Sequence, residues 1–163
     1  MIFTLALCLG FMAAAANPLL KRSDGSGKLD IQEMVNVNES LVVVERKHTR
    51  QYAFRCQTAT KIRGSLETGY EYKLRARYTN GTGAPYVEGT VNITLEPLGA
   101  SGEPYMATYT DRNQIRFNLT LEKMDPSGDC FVIFTNKSDG NRGCELLVPA
   151  SRREYDIPDV CYD

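Results

Sequence analysis

The stretch Tyr70-Glu-Tyr-Lys-Leu-Arg-Ala-Arg-Tyr78 alternates strictly between apolar and charged side chains. This is the period of a β-strand with one buried face and one wet face. The stretch from Ile115 to Leu121 repeats the pattern, with Phe117 and Leu119 on its apolar face and Asn118 on its polar face. The chain is therefore predicted to be all-β.

Eight segments of this kind follow one another, separated by turns rich in Gly, Pro, Asn and Asp. They run approximately from Leu41 to Lys47, Tyr52 to Ile62, Tyr70 to Thr79, Tyr86 to Glu96, Tyr105 to Thr110, Gln114 to Glu122, Cys130 to Thr135 and Cys144 to Pro149. Eight strands with short connections predict an up-and-down barrel or a two-sheet sandwich, and their spacing does not choose between the two. A barrel of this size is wide enough to hold one small ligand.

The N-terminal residues are predicted to lie outside this domain. Residues 1–16 form an uncharged apolar run that ends in small residues, which is typical of a secretory signal peptide and too short for a membrane anchor. Residues 17–29 are predicted to be a flexible lead, since Lys21 to Lys28 is polar and rich in Gly and Ser. Asp30 followed by Glu33 has the form of a helix N-terminus. One domain is predicted to cover residues 30–163.

The cysteines and the glycosylation sequons both favour an oxidising, extracellular compartment. Cys8 lies in the predicted signal, and the remaining cysteines allow two disulfides with three possible connectivities: Cys56, Cys130, Cys144 and Cys161. Acceptors of the form Asn-x-Ser/Thr occur at Asn38, Asn80, Asn92, Asn118 and Asn136. We therefore expect a secreted, disulfide-bonded and glycosylated protein.

Composition argues against several functional classes. The 19 basic and 20 acidic residues give a net charge of -1, which provides no overall field to attract nucleic acid or an anionic membrane. His48 is the single imidazole and is predicted to lie in a basic loop from Arg46 to Arg50. No nucleophile has an evident base, and the cysteines are too widely spaced for a zinc site. We expect a monomeric binding protein without catalytic activity, cofactor or metal.

The C-terminal part of the chain resembles a known family. The stretches Asp129-Cys-Phe-Val-Ile-Phe134, Asp139-Gly140, Gly143-Cys-Glu-Leu-Leu147 and Asp156-Ile-Pro-Asp-Val-Cys161 are similar, in order and spacing, to the end of the tick salivary histamine-binding proteins and their lipocalin relatives. The resemblance implies an eight-stranded antiparallel up-and-down β-barrel of the lipocalin, or calycin, type with a short N-terminal helix.

The resemblance also implies a disulfide between Cys130 and Cys161. In the family, the cysteine at the position of Cys56 pairs with one beyond position 163. Three alternatives are therefore open: Cys56 pairs with Cys144, the two bonds are reshuffled to Cys56 with Cys161 and Cys130 with Cys144, or the chain is truncated before that partner.

Amine-binding members of the family hold a cationic ligand with several carboxylates and flank it with tryptophan, because a buried ammonium needs opposing charge and gains from aromatic faces. Glu145 retains one of these acids, but Leu147 replaces the tryptophan that follows it, and the chain contains no Trp. Phe131 and Asn118 stand where the family has further acids, and residues 46–50 replace a loop that supplies an Asp and a Trp. Most of the amine site is thus predicted to be absent.

Candidate ligand contacts are Glu145, Leu147, Phe117 and the tyrosines of the third strand, Tyr70, Tyr72 and Tyr78. Packing inside a barrel would explain the tyrosines equally well. Arg75 and Arg77 could clamp a carboxylate, but only if the face opposite the tyrosines lined the interior. Because the tyrosine face is more apolar, it is predicted to point inward.

The resemblance implies a secreted salivary protein that sequesters a small host mediator, such as histamine, serotonin or a leukotriene, and so modulates host inflammation. The missing acids and tryptophans favour a more apolar or acidic ligand than histamine. The alternative is a module that binds a host protein, such as a complement component, chemokine or protease, through its loops.

Overall fold

The computed structural model describes residues 27–50, 54–78 and 83–162. The predicted signal peptide, most of the predicted lead and the Asn80 sequon lie outside these residues. Of the lead, residues 27–29 are described, and Leu29 packs against the core of the barrel. None of the described residues belongs to a helix that is long and apolar enough to cross a bilayer.

Eight antiparallel strands form a closed barrel, in which each strand pairs with the next and the last pairs with the first. They are β1 (Leu41–His48), β2 (Phe54–Ser65), β3 (Gly69–Tyr78), β4 (Tyr86–Pro97), β5 (Tyr105–Thr110), β6 (Arg116–Met124), β7 (Phe131–Lys137) and β8 (Arg142–Pro149). The predicted up-and-down barrel is confirmed, and the sandwich alternative is excluded. Closure gives each of these eight strands a neighbour on both sides.

The apolar face of each strand points into the barrel. Tyr70 and Tyr72 are each 4% exposed and belong to one continuous core. That core also contains Leu41, Ile93, Leu95, Ala107, Leu119, Leu121, Phe131, Ile133 and Leu147. Residues at alternate positions, such as Glu71 and Lys73, therefore point to solvent. The tyrosine face is the inner one, as the sequence predicts.

A one-turn helix, α1 (Gln32–Val35), closes one end of the barrel, which we call the helix end. The side chain of Asp30 accepts a hydrogen bond from the Gln32 amide (2.9 Å), so the predicted helix start is present although the helix itself is very short. The hydroxyl of Tyr72 donates to the Val35 carbonyl at 2.8 Å. Burial raises the pKa of this phenol far above its usual value, and it remains a neutral donor.

The C-terminal segment packs on the outside of the barrel. Two short 3-10 helices, Ala150–Arg152 and Asp159–Cys161, follow β8. A disulfide joins Cys130 to Cys161, which is the pairing that the resemblance implies. Ile157 packs against an outer apolar cluster that includes Leu146 and Val148. This satellite core is separate from the interior of the barrel.

The predicted second disulfide is wrong, since Cys56 and Cys144 are exposed free thiols. Cys56 lies on β2 and Cys144 on β8, with β1 between the two strands. Two strands with a third between them are separated by about 9 to 10 Å. A disulfide requires Cα atoms within about 7 Å. A bond between Cys56 and Cys144 would therefore require β1 to move out of the sheet.

Candidate functional site

A β-bulge in β1 turns two charged side chains into the barrel. Val43 pairs with Leu147 on the inner face, but the register then shifts, so that Arg46 pairs with Glu145 and His48 with Gly143. Without the extra residue, Arg46 and His48 would point outward. The inner wall at the end opposite α1, which we call the loop end, therefore contains charges. The prediction of a basic loop here is wrong for residues 46–48, which belong to β1.

The side chains of His48 and Glu145 are within hydrogen-bond distance of each other inside the loop end. The Nε2 of His48 lies 2.9 Å from the Oε1 of Glu145, and the two side chains are 3% and 19% exposed. The backbone of Gly143 makes room for the imidazole, because a Cβ atom there would lie 2.6 Å from the Cα of His48. Glu145 thus faces the interior, and its carboxylate already has a partner in the protein.

Two inward residues of β7 continue this polar wall. Thr135 pairs with Leu119 on one side and Gly143 on the other, and it is 2% exposed. Its hydroxyl makes no hydrogen bond to any of the described residues. Lys137 pairs with Phe117, and its Nζ lies 4.6 Å from the centre of the Phe117 ring. Both residues face the same space as His48 and Glu145.

Arg112 reaches into the loop end from the turn between β5 and β6. Its guanidinium donates to the Glu88 carbonyl. Gly89 pairs with the inward-facing Leu74, and a Cβ atom on Gly89 would lie 2.7 Å from an Arg112 nitrogen. The guanidinium therefore covers the inner surface of β4, in space that any larger residue at position 89 would occupy.

We call Arg46, His48, Arg112, Thr135, Lys137 and Glu145 the loop-end cluster. It contains three permanent cations, one imidazole and one carboxylate. The nearby carboxylate of Asp139 is exposed on the β7–β8 turn, outside the barrel wall. Hydrogen bonds from Asn141 are the main reason that its pKa is lowered, with smaller contributions from Lys137 and Arg50. The inner wall of the loop end is accordingly electropositive.

Apolar side chains lie beside the loop-end cluster. The rings of Tyr109 and Phe117 stack with centroids 4.5 Å apart and planes inclined by 14°. Leu147 is 4% exposed and belongs to the same core, one inward position deeper than Glu145. The interior thus changes from apolar at the helix end to polar and positive at the loop end.

The predicted site residues are divided between the two ends. Glu145 belongs to the loop-end cluster, Phe117 lies opposite Lys137 at the loop end, and Leu147 lies deeper in the barrel, opposite Phe131 and Val43. Tyr70 and Tyr72 instead lie at the helix end, where their hydroxyls point to Asn36 and Val35. Tyr78 is at the loop end, is 49% exposed, and has its ring centroid 4.7 Å from that of Phe54.

Sequence reasoning missed Arg46, Arg112, Thr135 and Lys137. The predicted seventh strand ends at Thr135, so the alternation pattern does not assign Lys137 to either face. A two-residue alternation pattern reveals neither the β1 bulge nor the direction in which the Arg112 side chain extends from its turn. Only Gly89, an inward glycine in an otherwise apolar face, was a visible signal of close approach.

The described sequons all lie at surface positions. Asn38, Asn92 and Asn136 are exposed, and Asn118 is half-buried on the outer face. Asn118 and Asn136 lie directly opposite each other on β6 and β7. These positions are compatible with glycans, whose presence stays a prediction.

Two cavities formed by the described residues lie away from the loop-end cluster. One, of about 250 Å³, is lined by residues 27–29 together with Leu98 and Leu121. The other, of about 410 Å³, lies between the β2–β3 hairpin and β4, beside Tyr70 and Ile93. Both are open surface pockets at or near the helix end.

No protein-family model matches the chain. Among solved structures, the barrel is similar to that of Japanin from the tick Rhipicephalus appendiculatus, which was crystallised bound to cholesterol. The TM-score is 0.53 and the sequence identity 11%, over 77% of this chain and 83% of that chain. The Cys130–Cys161 disulfide is typical of proteins from an oxidising, extracellular compartment. At this identity the comparison shows a lipocalin-like fold, and membership of the histamine-binding subfamily stays a prediction.

Proposed function

We propose that this protein is a secreted carrier that sequesters a small host mediator at the loop end of its barrel, and that the mediator is a lipid with an anionic head group. The loop-end cluster carries the proposal: Arg46, Arg112 and Lys137 bring three permanent positive charges to an inner wall that holds one carboxylate, Glu145. Arg46 and Lys137 are partly buried and Arg112 is exposed, and partly buried charges are screened less by salt than fully exposed ones.

The rest of the interior suits the remainder of such a ligand. Apolar side chains of the barrel core would contact a hydrocarbon chain or ring system, as is usual for small-molecule sites. Thr135 would donate its unused hydroxyl to the head group, and Lys137 or Arg112 would form charge-assisted hydrogen bonds with it. Japanin, which shares the fold, is bound to cholesterol in its crystal. That complex supports an apolar ligand for barrels of this shape.

The loop-end cluster is less suited to binding an amine such as histamine or serotonin. The carboxylate that would receive it, Glu145, is already 2.9 Å from His48. An ammonium ion would also approach Arg46 and Lys137, and these like charges would repel it. Loop-mediated binding of a host protein remains the second candidate, and surface sequons on several strands are compatible with it.

Native mass spectrometry of the deglycosylated protein tests the proposal with leukotriene B4, cholesterol, histamine and serotonin in turn. We expect a one-to-one complex with leukotriene B4. The K137Q and R112Q variants should each bind it about tenfold more weakly, since a charge-assisted hydrogen bond contributes roughly 1.5 to 3 kcal/mol. Lys123 provides the matched control, because it pairs with Val132 on the outer face, and K123Q should bind normally.

The alternative outcomes are distinct. Binding of cholesterol alone, unchanged in K137Q, would keep the carrier function but contradict an anionic head group. Binding of an amine that is lost in E145Q would contradict the charge argument as a whole. If none of the four compounds binds, the protein-binding alternative is favoured.

A further inference from the structure

The outer surface of β2, β3 and β4 carries a cluster of basic side chains that the proposed carrier function does not use. Lys73, Arg75 and Arg77 alternate with the inward tyrosine face of β3. Arg55 on β2 pairs directly with Arg77 and therefore points outward as well. We call these four residues the arginine face.

The arginine face has a local excess of positive charge in a chain whose net charge is -1. The carboxylate that opposes it is Glu88, which lies 2.6 Å from the Nε of Arg75 and 4.0 Å from the Nζ of Lys73. Glu71, the next outward residue of β3, already contacts Arg63 at 2.5 Å. Arg55 and Arg77 stand opposite each other, and like charges in this arrangement destabilise a sheet. A bound polyanion would relieve that repulsion.

Tyr86 holds two of the guanidinium groups in place. The Cζ atoms of Arg75 and Arg77 lie 4.3 Å and 4.4 Å from the centre of its ring. Stacking of this kind fixes the planar groups and reduces the entropy that is lost when they bind a ligand. Outward residues on one strand repeat about every 7 Å. Arg75 and Arg77 are therefore held in place by Tyr86, and they form the ordered centre of the arginine face.

We propose that the arginine face binds a sulfated polysaccharide. Arginine forks match the geometry of tetrahedral oxyanions, as with phosphate, and sulfate presents the same arrangement of oxygens. A row of cations fits a linear polymer that carries repeated anionic groups, and clusters of basic residues are known heparin-binding patches. The disulfide indicates an extracellular setting, where such polymers occur. Binding there would retain the carrier at a cell surface or matrix while leaving the barrel interior accessible.

Heparin affinity chromatography and titration calorimetry with a heparin oligosaccharide test this proposal, using deglycosylated protein because Asn92 lies on the same outer face, opposite Glu71. The R55Q/R77Q variant should bind at least tenfold more weakly and elute at lower salt. R142Q/R153Q removes the same charge at two exposed positions outside β2–β4 and should behave like the unmodified protein. Circular dichroism verifies that both variants are folded.

Equal losses in the two variants would overturn the proposal, because binding would then depend on net charge alone. Polyglutamate of similar length serves as a second probe. If it binds as tightly as heparin, the arginine face recognises carboxylates and an acidic protein becomes the better partner. Unchanged leukotriene B4 binding by R55Q/R77Q is expected, since the arginine face is separated from the interior by the sheet.

Discussion

Gly143 shows how a single residue shapes the interior of this barrel. Its backbone lies against the Lys47 carbonyl and the His48 ring, so that a Cβ atom would meet both within 3 Å. Because the Lys47 carbonyl and the His48 Cα belong to the backbone of a paired strand, they cannot move aside cheaply. G143A should therefore lower the free energy of unfolding by about 1 to 3 kcal/mol. Urea denaturation followed by tyrosine fluorescence measures this in a protein that has no Trp.

Gly99 is the matched control for this substitution. A Cβ atom on Gly99 would have no neighbour within 4 Å, and G99A should change the stability by less than about 0.5 kcal/mol. Equal effects of G143A and G99A would show that the contact between Gly143 and His48 does not constrain the fold.

Thr135 has a buried hydroxyl that contributes little to the unliganded protein. Because that hydroxyl makes no hydrogen bond to the described residues, T135V should leave the free energy of unfolding unchanged or raise it by about 1 kcal/mol. The same variant should bind the proposed anionic lipid more weakly, since it cannot donate to the head group. Calorimetric melting and ligand titration, performed on one preparation, separate the two effects.

The comparison for T135V is T108V on β5. The hydroxyl of Thr108 donates to Glu96 at 2.9 Å, so T108V should lower stability and leave ligand binding unchanged. A T135V protein that melts clearly earlier than the unmodified one would show that Thr135 has a structural partner.

At the level of elements, the junction between β1 and β2 is the least continuous part of the barrel. Among the residues that the structure describes, the paired positions of these two strands are Leu41 with Ala59 and Val42 with Thr58. Further along, the Arg46 side chain crosses the space between them and donates to Gln57 Oε1 at 3.0 Å and to the Phe54 carbonyl. At this position the Arg46 side chain joins β1 to β2, as backbone hydrogen bonds join neighbouring strands elsewhere in the sheet.

We therefore expect R46M to loosen the junction without unfolding the barrel. Hydrogen exchange measured by mass spectrometry should become faster in peptides that cover residues 54–58, because local opening depends on the contacts that remain. The exchange of β6 and β7 should not change. K47M, which alters the outward neighbour on β1, is the control, and faster exchange throughout the barrel in R46M would show a global rather than a local role.

The β1 bulge also separates the structural features that could be predicted from the sequence from those that could not. Alternation was sufficient for the strands and for the inner position of Tyr72, because burial of one face imposes a period of two residues. It failed for Arg46 and His48, since one extra residue after Val43 reverses the faces. The short helix followed from the capping pattern at Asp30. Arg112 could not be predicted, because its position depends on how a turn folds back over β4.

For the molecule as a whole, the cysteines divide into a stabilising pair and a reactive pair. The Cys130–Cys161 disulfide spans 31 residues and holds the C-terminal segment against the outer apolar cluster. C130S/C161S should lower the free energy of unfolding by about 2 to 4 kcal/mol, since the crosslink restricts the unfolded chain. Cys56 and Cys144 are exposed free thiols, and C56S/C144S should change the stability by less than about 0.5 kcal/mol.

A thiol reagent such as DTNB tests the same division in the native protein without residues 1–16. Cys56 and Cys144 should both react before any denaturant is added, because each is exposed, and C56S/C144S should show no reactive thiol. If the native protein has no reactive thiol and C56S/C144S is markedly destabilised, the two cysteines are bonded. The β1 strand would then have to leave its place between β8 and β2, and the inward position of His48 would change with it.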